Sequence, residues 1–292
     1  MLPIVNHGGS QNFSDLLSGV SSGLWQKFMP PESNNTIFRR DLSLIKEISL
    51  DMEKEKKEGW AHPEAAENYA RTADVIIPER REMLSIISRL AIELGSINPK
   101  IIDLGCGLGD VTVKILELKP NADVLMLDFS DEMTRRSSER FRDNKNITVV
   151  KQDLNQGILG ITEDRGFDAV VSCFYIHHVE FENRIKLYSY IHEVLKDQGL
   201  FINGDLFRED SLIIDQWEFN NNISSLVIRL REKLGQEWTF DELKLNRLEN
   251  AQKMGDKPGT LGEMFHDMKA AGFRYVDCLW KSRNLAIMAA TK

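Results

Sequence analysis

One short segment restricts this sequence more than any other. The residues IIDLGCGLGDVT, at 101–112, form an apolar run that ends in an acid and then places Gly105, Gly107 and Gly109 at every second position. Apolar runs without polar alternation are typical of strands that are buried on both faces. Glycine adopts a positive φ at little cost and lets other groups approach the main chain closely. The segment therefore predicts a buried strand, a tight loop and a helix, with a ligand against the loop.

The same alternation of elements continues along the chain. Four more β-rich runs follow, at 123–129 (DVLMLDF), 147–154 (ITVVKQDL), 167–176 (FDAVVSCFYI) and 199–207 (GLFINGDLF). Helical patterns lie between them, at Val111–Leu118, Asp131–Arg142 and Asn183–Leu195. Strands that alternate with helices predict a doubly wound α/β domain with a parallel sheet. Two further runs near the C-terminus, separated only by Ser282 and Arg283, should pair antiparallel at one edge of that sheet.

The segments around these strands divide the chain into four predicted parts. They are an N-terminal helical extension (1–60), a core with leading helices (61–207), a helical insertion (208–258), and a C-terminal helix with the antiparallel strand pair (259–292). We expect the extension and the insertion to cover the ligand, because neither is needed to complete the sheet. Aromatic residues in these parts, together with Tyr69, are expected to form the pocket walls, and their number indicates an apolar or aromatic substrate: Trp60, Trp217, Phe219, Trp238 and Phe240.

Composition excludes several classes of function. The net charge of −8 leaves no broad basic face and argues against a nucleic-acid substrate. The three cysteines, Cys106, Cys173 and Cys278, form no metal-spaced pair, so we predict no metal site and expect reduced thiols. No apolar run has the length of a membrane span, and the first residues lack a signal-peptide pattern. These features together predict a cytoplasmic protein.

The residues around the glycines indicate the chemistry of the ligand. Asp110 stands where a dinucleotide fingerprint, G-x-G-x-x-G, has its third glycine. Asp103, two residues before Gly105, is poorly suited to a pyrophosphate and well suited to a cation. Asp128 ends the second strand, where a carboxylate can accept hydrogen bonds from ribose hydroxyls, and Asp153 ends the third, where an amine could be bound. The ligand implied has a ribose, an amine-bearing base and a positive charge, and lacks phosphate.

Taken as a set, these motifs resemble those of the class I S-adenosylmethionine-dependent methyltransferases. The similarity rests on DLGCGLG (103–109), LDFS (127–130), QDL (152–154) and FDAVVSCFYIHH (167–178), and it extends from Tyr69 to the C-terminus. It implies S-adenosylmethionine as cofactor, S-adenosylhomocysteine as product, and the Rossmann-like sheet order 3-2-1-4-5-7-6 with strand 7 antiparallel. The further cofactor contacts that it implies are Tyr69, Cys106, Phe129, Met133, Leu154 and Phe174.

The acceptor of the methyl group is less constrained. His177 and His178 follow the fourth strand, near the point where the methyl group would be presented, and either could be a general base or a structural residue. The resemblance is strongest to members that act on small molecules, so we expect transfer to an oxygen or nitrogen of a small, largely apolar metabolite. One alternative is an enzyme similar to carboxy-S-adenosylmethionine synthases, which would need a cation such as Arg247 near the methyl group. Two further functions stay open: another non-methylating enzyme of S-adenosylmethionine and a catalytically silent binding protein. A homodimer is possible for any of these functions.

Overall fold

The computed structural model describes residues 63–93, 97–156 and 166–292, all within the compact unit Glu53–Lys292. The extension predicted at 1–60 lies outside these residues. We number the elements within the described ranges. The helices are α1 (Pro63–Ile76), α2 (Arg80–Glu93), α3 (Asp110–Leu118), α4 (Asp131–Arg140), α5 (Phe181–Val194), α6 (Leu212–Leu234), α7 (Phe240–Met254) and α8 (Leu261–Ala270). The strands are β1 (Lys100–Leu104), β2 (Asp123–Asp128), β3 (Ile147–Lys151), β4 (Phe167–Cys173), β5 (Leu195–Leu206), β6 (Tyr275–Ser282) and β7 (Leu285–Thr291).

The seven strands form one sheet in the order β3-β2-β1-β4-β5-β7-β6. Strands β1 to β5 pair parallel, and β7 pairs antiparallel with both β5 and β6. This confirms the predicted α/β fold and its strand order. The predicted link between the last two strands is one residue off: Arg283 and Asn284 join them, and Arg283 has a φ of 54°. The apolar run that pairs with β5 begins only at Leu285, which moves the turn toward the C-terminus.

Two hydrophobic cores sandwich the sheet. Ile101 and Ile102 are 0% and 1% exposed, and as neighbours in β1 they point to opposite faces. On one face the strands pack against α5 and α8, whose buried residues include Tyr188 and Met268. On the other face they pack against α2 and α3, with Ile87 at the centre. Burial on both faces is what removes polar alternation from the strands.

The insertion has a small core of its own. Ile223, Leu226 and Leu230 of α6 and Leu243 of α7 are buried together, and Ile76 of α1 packs against them. This cluster joins the insertion to α1 rather than to the sheet. None of the described helices combines the length and the low polarity that a membrane span would need.

The three glycines of the loop after β1 share a backbone conformation that favours glycine, but their surroundings differ. All have a positive φ, of 64°, 52° and 80°. A Cβ atom at Gly105 would lie 1.9 Å from the ring of Tyr175, and one at Gly109 would lie 2.5 Å from the ring of Phe141. A Cβ atom at Gly107 would meet nothing within 4 Å. Side chains of the protein itself therefore approach Gly105 and Gly109, and only Gly107 faces open space.

This difference predicts unequal costs for two alanine substitutions. Gly107→Ala should lower the free energy of unfolding by about 1–2 kcal/mol, because alanine is forced into the left-handed region. Gly109→Ala should cost roughly 1–3 kcal/mol more, because its methyl group also displaces Phe141. Urea denaturation of both variants and of the parent measures the difference. Equal losses would show that backbone strain alone selects glycine here.

Candidate functional site

A cavity of about 420 Å³ opens at the carboxyl ends of β1, β2 and β4. The strand ends, α1 and the insertion enclose it, as expected for a ligand site in an open α/β sheet. Eleven of the thirteen residues predicted from sequence to form the site line this cavity: Tyr69, Asp103, Gly105, Cys106, Gly107, Asp128, Phe129, Met133, Phe174, His177 and His178.

Asp153 and Leu154 are the two predicted site residues that do not line the cavity. The Asp153 carboxylate accepts a hydrogen bond from the Asn155 amide (3.0 Å) and caps the short turn that follows β3. Leu154 is 1% exposed and belongs to the core under the sheet. Local turn chemistry thus accounts for the acid at the end of the third strand.

Two backbone amides fix Asp128 at the edge of the cavity. The amide of Gly107 donates to Oδ2 (2.9 Å), and the amide of Ser130 donates to Oδ1 (2.9 Å). Burial raises the pKa of Asp128 to about 6, although these two hydrogen bonds oppose the rise. A third backbone hydrogen bond, from Phe129, also lowers the pKa of Asp128. A carboxylate has about four lone-pair sites, so at least one remains for a ligand hydroxyl.

Asp103 is the least satisfied acid of the site. Its Oδ2 accepts a hydrogen bond from the Thr112 hydroxyl (2.7 Å), but its buried Oδ1 has no hydrogen-bond partner. Burial raises the pKa of this carboxyl to about 7, and the charge of Asp128 adds to the effect. An orphaned carboxylate oxygen at a cavity wall fits a cationic ligand group, which would both hydrogen-bond it and compensate its charge.

Arg80, which sequence reasoning missed, fastens α1 across the glycine loop. Its guanidinium forms ion pairs with Asp74 of α1 (3.0 Å) and with Asp110 at the start of α3, and it lies over the ring of Tyr69. The side chain is only 9% exposed. A second arginine next to it, Arg81, is 83% exposed, and nothing in the sequence distinguishes the two.

The segment after β4 carries backbone strain next to the cavity. Phe174 has a φ of 58°, which is rare for a non-glycine residue. This turn directs the ring of Tyr175 against Gly105 and brings it within 6.2 Å of the Phe129 ring, between ring centroids. Strain of this kind clusters at functional sites.

Asp205, at the end of β5, orients His177. One carboxylate oxygen contacts His177 Nδ1 (2.5 Å), and the other accepts the His177 backbone amide (3.0 Å). Burial alone lowers the pKa of His177, but the charge and hydrogen bond of Asp205 outweigh it, so the pKa lies above its usual value. The motif NGDLF placed an acid at the carboxyl end of the fifth strand, and that position could have identified Asp205 from sequence.

His178 and Asp256 complete this part of the cavity wall, which we call the histidine corner (His177, His178 and Asp256). Asp256 Oδ1 lies 3.3 Å from His178 Nδ1 and 3.8 Å from His177 Nε2. Burial lowers the pKa of His178 well below its usual value, and the charge of His177 lowers it further. The three side chains offer ligand atoms that all lie within 4.8 Å of one another, a spacing that a metal ion could use. Asp256 could not be assigned to this group from sequence, because it follows the histidines by almost 80 residues.

The insertion supplies a polar wall instead of the predicted aromatic one. Four residues on one face of α7 line the cavity at helical spacing: Arg247, Asn250, Ala251 and Met254. Phe219, Trp238 and Phe240 instead pack against the insertion core, and Trp217 is 61% exposed. The rings of Phe219, Trp238 and Phe240 fill the space between α6, α7 and α1, and Trp217 faces solvent. None of the four lines the cavity, so the expectation that they form its walls is wrong. Trp60 lies outside the described residues.

Comparison with known proteins agrees with this geometry. Residues 102–201 match the family model of a methyltransferase domain. A carboxy-S-adenosyl-L-methionine synthase of Nautilia profundicola is 23% identical over 217 residues, which cover 74% of this chain and 87% of that protein. Another carboxy-S-adenosyl-L-methionine synthase, from Shewanella halifaxensis, is 24% identical over 218 residues, with coverages of 74% and 85%.

Two solved structures share the fold. A putative O-methyltransferase of Nostoc punctiforme has a TM-score of 0.51 at 14% identity, and the match covers 73% of this chain and 56% of that one, so it spans just over half of the Nostoc protein. The YcgJ protein of Bacillus subtilis has a TM-score of 0.50 at 16% identity, with coverages of 68% and 71%. At these identities the similarity establishes the fold alone.

The buried carboxylate of Asp103, whose Oδ1 has no hydrogen-bond partner, predicts that the stability of the protein depends on pH. Its pKa is about 7 in the folded chain and 3.8 for the ordinary group, so the folded protein loses stability as the pH rises between these values. Asp103→Asn should therefore raise the free energy of unfolding of the ligand-free protein at pH 8, by about 1–4 kcal/mol, and change it little at pH 4. Urea denaturation at both pH values measures this, with the exposed Asp123→Asn as control. A variant that is destabilised at pH 8 would contradict the assigned pKa.

Proposed function

We propose that this chain, which has the Rossmann-like fold of class I methyltransferases and matches a methyltransferase domain over residues 102–201, methylates an oxygen or nitrogen atom of a small metabolite. S-adenosylmethionine is the cofactor, and when bound it supplies a methyl group that is already activated on a sulfonium. The observation that carries the proposal is one cavity whose lining includes both the glycine loop, which we call its loop end, and the histidine corner, which we call its acceptor end. One enclosed space can therefore hold both the donor and the acceptor.

The residues of the loop end suit the donor. We propose that Asp128 binds the ribose hydroxyls and that Asp103 faces the cationic end of the cofactor through its orphaned Oδ1. Gly107, where a side chain would enter open space, leaves room for the ligand against the main chain. Phe129 and Met133 are the proposed walls of the base pocket. Asp153 has no place in this arrangement, since its carboxylate belongs to a turn.

The other end of the cavity suits a small acceptor. We propose that the insertion covers this end and that the acceptor's reacting atom lies at the histidine corner, where it loses its proton. His177 and His178 are the proposed catalytic residues, and Asp205 is a positioning residue that acts through His177. Aliphatic side chains such as Ile76, Ile77 and Leu206 would contact an apolar body. Holding two reactants in line can contribute about 7–11 kcal/mol to the reduction of the barrier.

A second candidate is a reaction that places a carboxyl group on the cofactor. Two of the relatives described above carry the name carboxy-S-adenosyl-L-methionine synthase. The Arg247 side chain lines the cavity and, among the described residues, has no hydrogen-bond or ion-pair partner, although the charge of Asp256 reaches it. A cation so placed could bind a carboxylate on the cofactor.

Incubation with methyl-labelled S-adenosylmethionine and a metabolite extract separates the candidates. Label in a new small molecule supports methyl transfer. Consumption of the cofactor with the label retained on a heavier sulfonium product supports the second candidate. Binding without consumption would contradict both and indicate a silent binding protein.

The proposed role of the histidine corner predicts a specific kinetic defect. With the acceptor found in that screen, His177→Ala should lower kcat by about 100-fold or more and leave the affinity for S-adenosylhomocysteine nearly unchanged. The matched control is His266→Ala, which alters an exposed histidine outside the cavity. Near-parental turnover of both His177→Ala and His178→Ala would mean that proximity alone drives the reaction. Loss of cofactor binding would instead place these residues in the cofactor wall.

A further inference from the structure

The histidine corner is held together from two distant parts of the chain. His177 and His178 lie in the short turn Ile176–His178 after β4, and Asp256 lies in the loop after α7. The amide of Lys257, next to Asp256, donates to the His177 carbonyl (2.7 Å). The Lys257 ammonium pairs with Glu180 (2.6 Å). These ties fix the carboxylate opposite the two imidazole rings without using any of their ring nitrogens.

The distances at the corner are those of metal ligands rather than of a hydrogen-bonded network. The 3.8 Å between His177 Nε2 and Asp256 Oδ1 exceeds hydrogen-bond length. Zinc lies about 2.0–2.2 Å from imidazole nitrogen and carboxylate oxygen, so two ligand atoms in a tetrahedral site are separated by about 3.3–3.5 Å. The observed separations of 3.3 and 3.8 Å lie at or just beyond this value. The three ligand atoms all lie within 4.8 Å of one another, so rotations of the side chains would bring them onto one ion.

The surroundings of the two imidazoles match those of metal-bound histidines. Such histidines almost always direct their second nitrogen to a carboxylate or a backbone carbonyl, which fixes the ring and its tautomer. His177 Nδ1 contacts Asp205, and Asp205 is itself anchored by the amides of His177 and Leu206. His178 hydrogen-bonds the backbone of Met254. The nitrogens of His177 and His178 that face Asp256 are therefore presented as a pair.

We propose that this corner binds one divalent first-row transition-metal ion through His177 Nε2, His178 Nδ1 and the Asp256 carboxylate. Two imidazoles and one carboxylate favour zinc, iron, cobalt or manganese over magnesium and calcium, which take oxygen ligands. The three side chains line the cavity, so the remaining coordination positions face the acceptor. Asp205 supports the ligand set as a positioning residue.

An ion at the histidine corner would indicate which class of acceptor receives the methyl group. This part of the inference rests on the proposed function. A hydroxyl oxygen that coordinates the ion becomes more acidic and releases its proton to water. The oxygen then forms a bond to the methyl carbon as the bond from that carbon to sulfur breaks, and the electron pair of the broken bond stays on sulfur. The substrate class is therefore a small alcohol or phenol, and the histidines hold the ion that activates it.

Metal binding by the full-length, chelator-treated protein tests the site without any acceptor. Calorimetry with Zn²⁺ and visible absorption with Co²⁺ should each give one ion per chain. Asp205→Asn should weaken binding by about 10- to 100-fold, as for loss of a second-shell partner, and Asp256→Ala, which removes a ligand, should weaken it more. His266→Ala should bind as the parent does. Binding of S-adenosylhomocysteine by each variant checks that it is folded.

Binding below 0.1 ion per chain, as an approximate limit, or equal binding by the parent and Asp256→Ala would overturn the site. The two proposals fail separately. An ion bound at the corner of a protein that transfers no methyl group supports the site and contradicts the proposed function. Methyl transfer at the full rate by metal-free protein supports the proposed function and overturns the role of the ion in activating the acceptor.

Discussion

The hydrogen bond from the Gly107 amide to Asp128 joins the two features on which the site depends. It links the loop after β1 to the end of β2, and so fixes the acid beside the backbone that a ligand approaches. The loop can reach Asp128 only because its glycines adopt a positive φ, and because Gly105 and Gly109 admit the rings of Tyr175 and Phe141. The packing of the loop thus sets the position of the carboxylate.

The cavity concentrates groups that are unfavourable in the ligand-free protein. Asp103 and Asp128 are buried close together, and burial raises the pKa of both. Phe174 holds a strained backbone conformation at the same edge of the sheet. The two hydrophobic cores and the ion pairs of Arg80 stabilise the fold enough to tolerate these costs. A cationic ligand would bind more tightly because of this cost, since its positive charge would compensate the two buried carboxylates.

The fold could be predicted from sequence in detail, and so could many of the residues that line the cavity. Buried parallel strands leave a plain signal in apolar runs such as 101–104, and glycines and acids at strand ends stand at fixed distances from them. The role of Asp153 stays a prediction, because a turn acid and a ligand acid look alike in one sequence and its carboxylate accepts a hydrogen bond within the turn. The two histidines of the histidine corner could be picked out from sequence, but Asp256 could not, because it meets them only through tertiary packing. The prediction for the aromatic residues of the insertion was wrong because the direction in which a side chain points depends on its neighbours in the fold, and not on its type.

Titration of S-adenosylhomocysteine into the parent protein and Asp128→Ala by calorimetry tests the arrangement of the loop end most directly. If Asp128 binds the ribose, loss of its carboxylate removes hydrogen bonds to a charged group, worth about 1.5–3 kcal/mol. The account therefore predicts a loss of affinity of roughly 10- to 100-fold, with NADH binding to neither protein. Equal affinity of Asp128→Ala and the parent would contradict the ribose assignment. Binding of NADH without binding of S-adenosylhomocysteine would contradict the whole account.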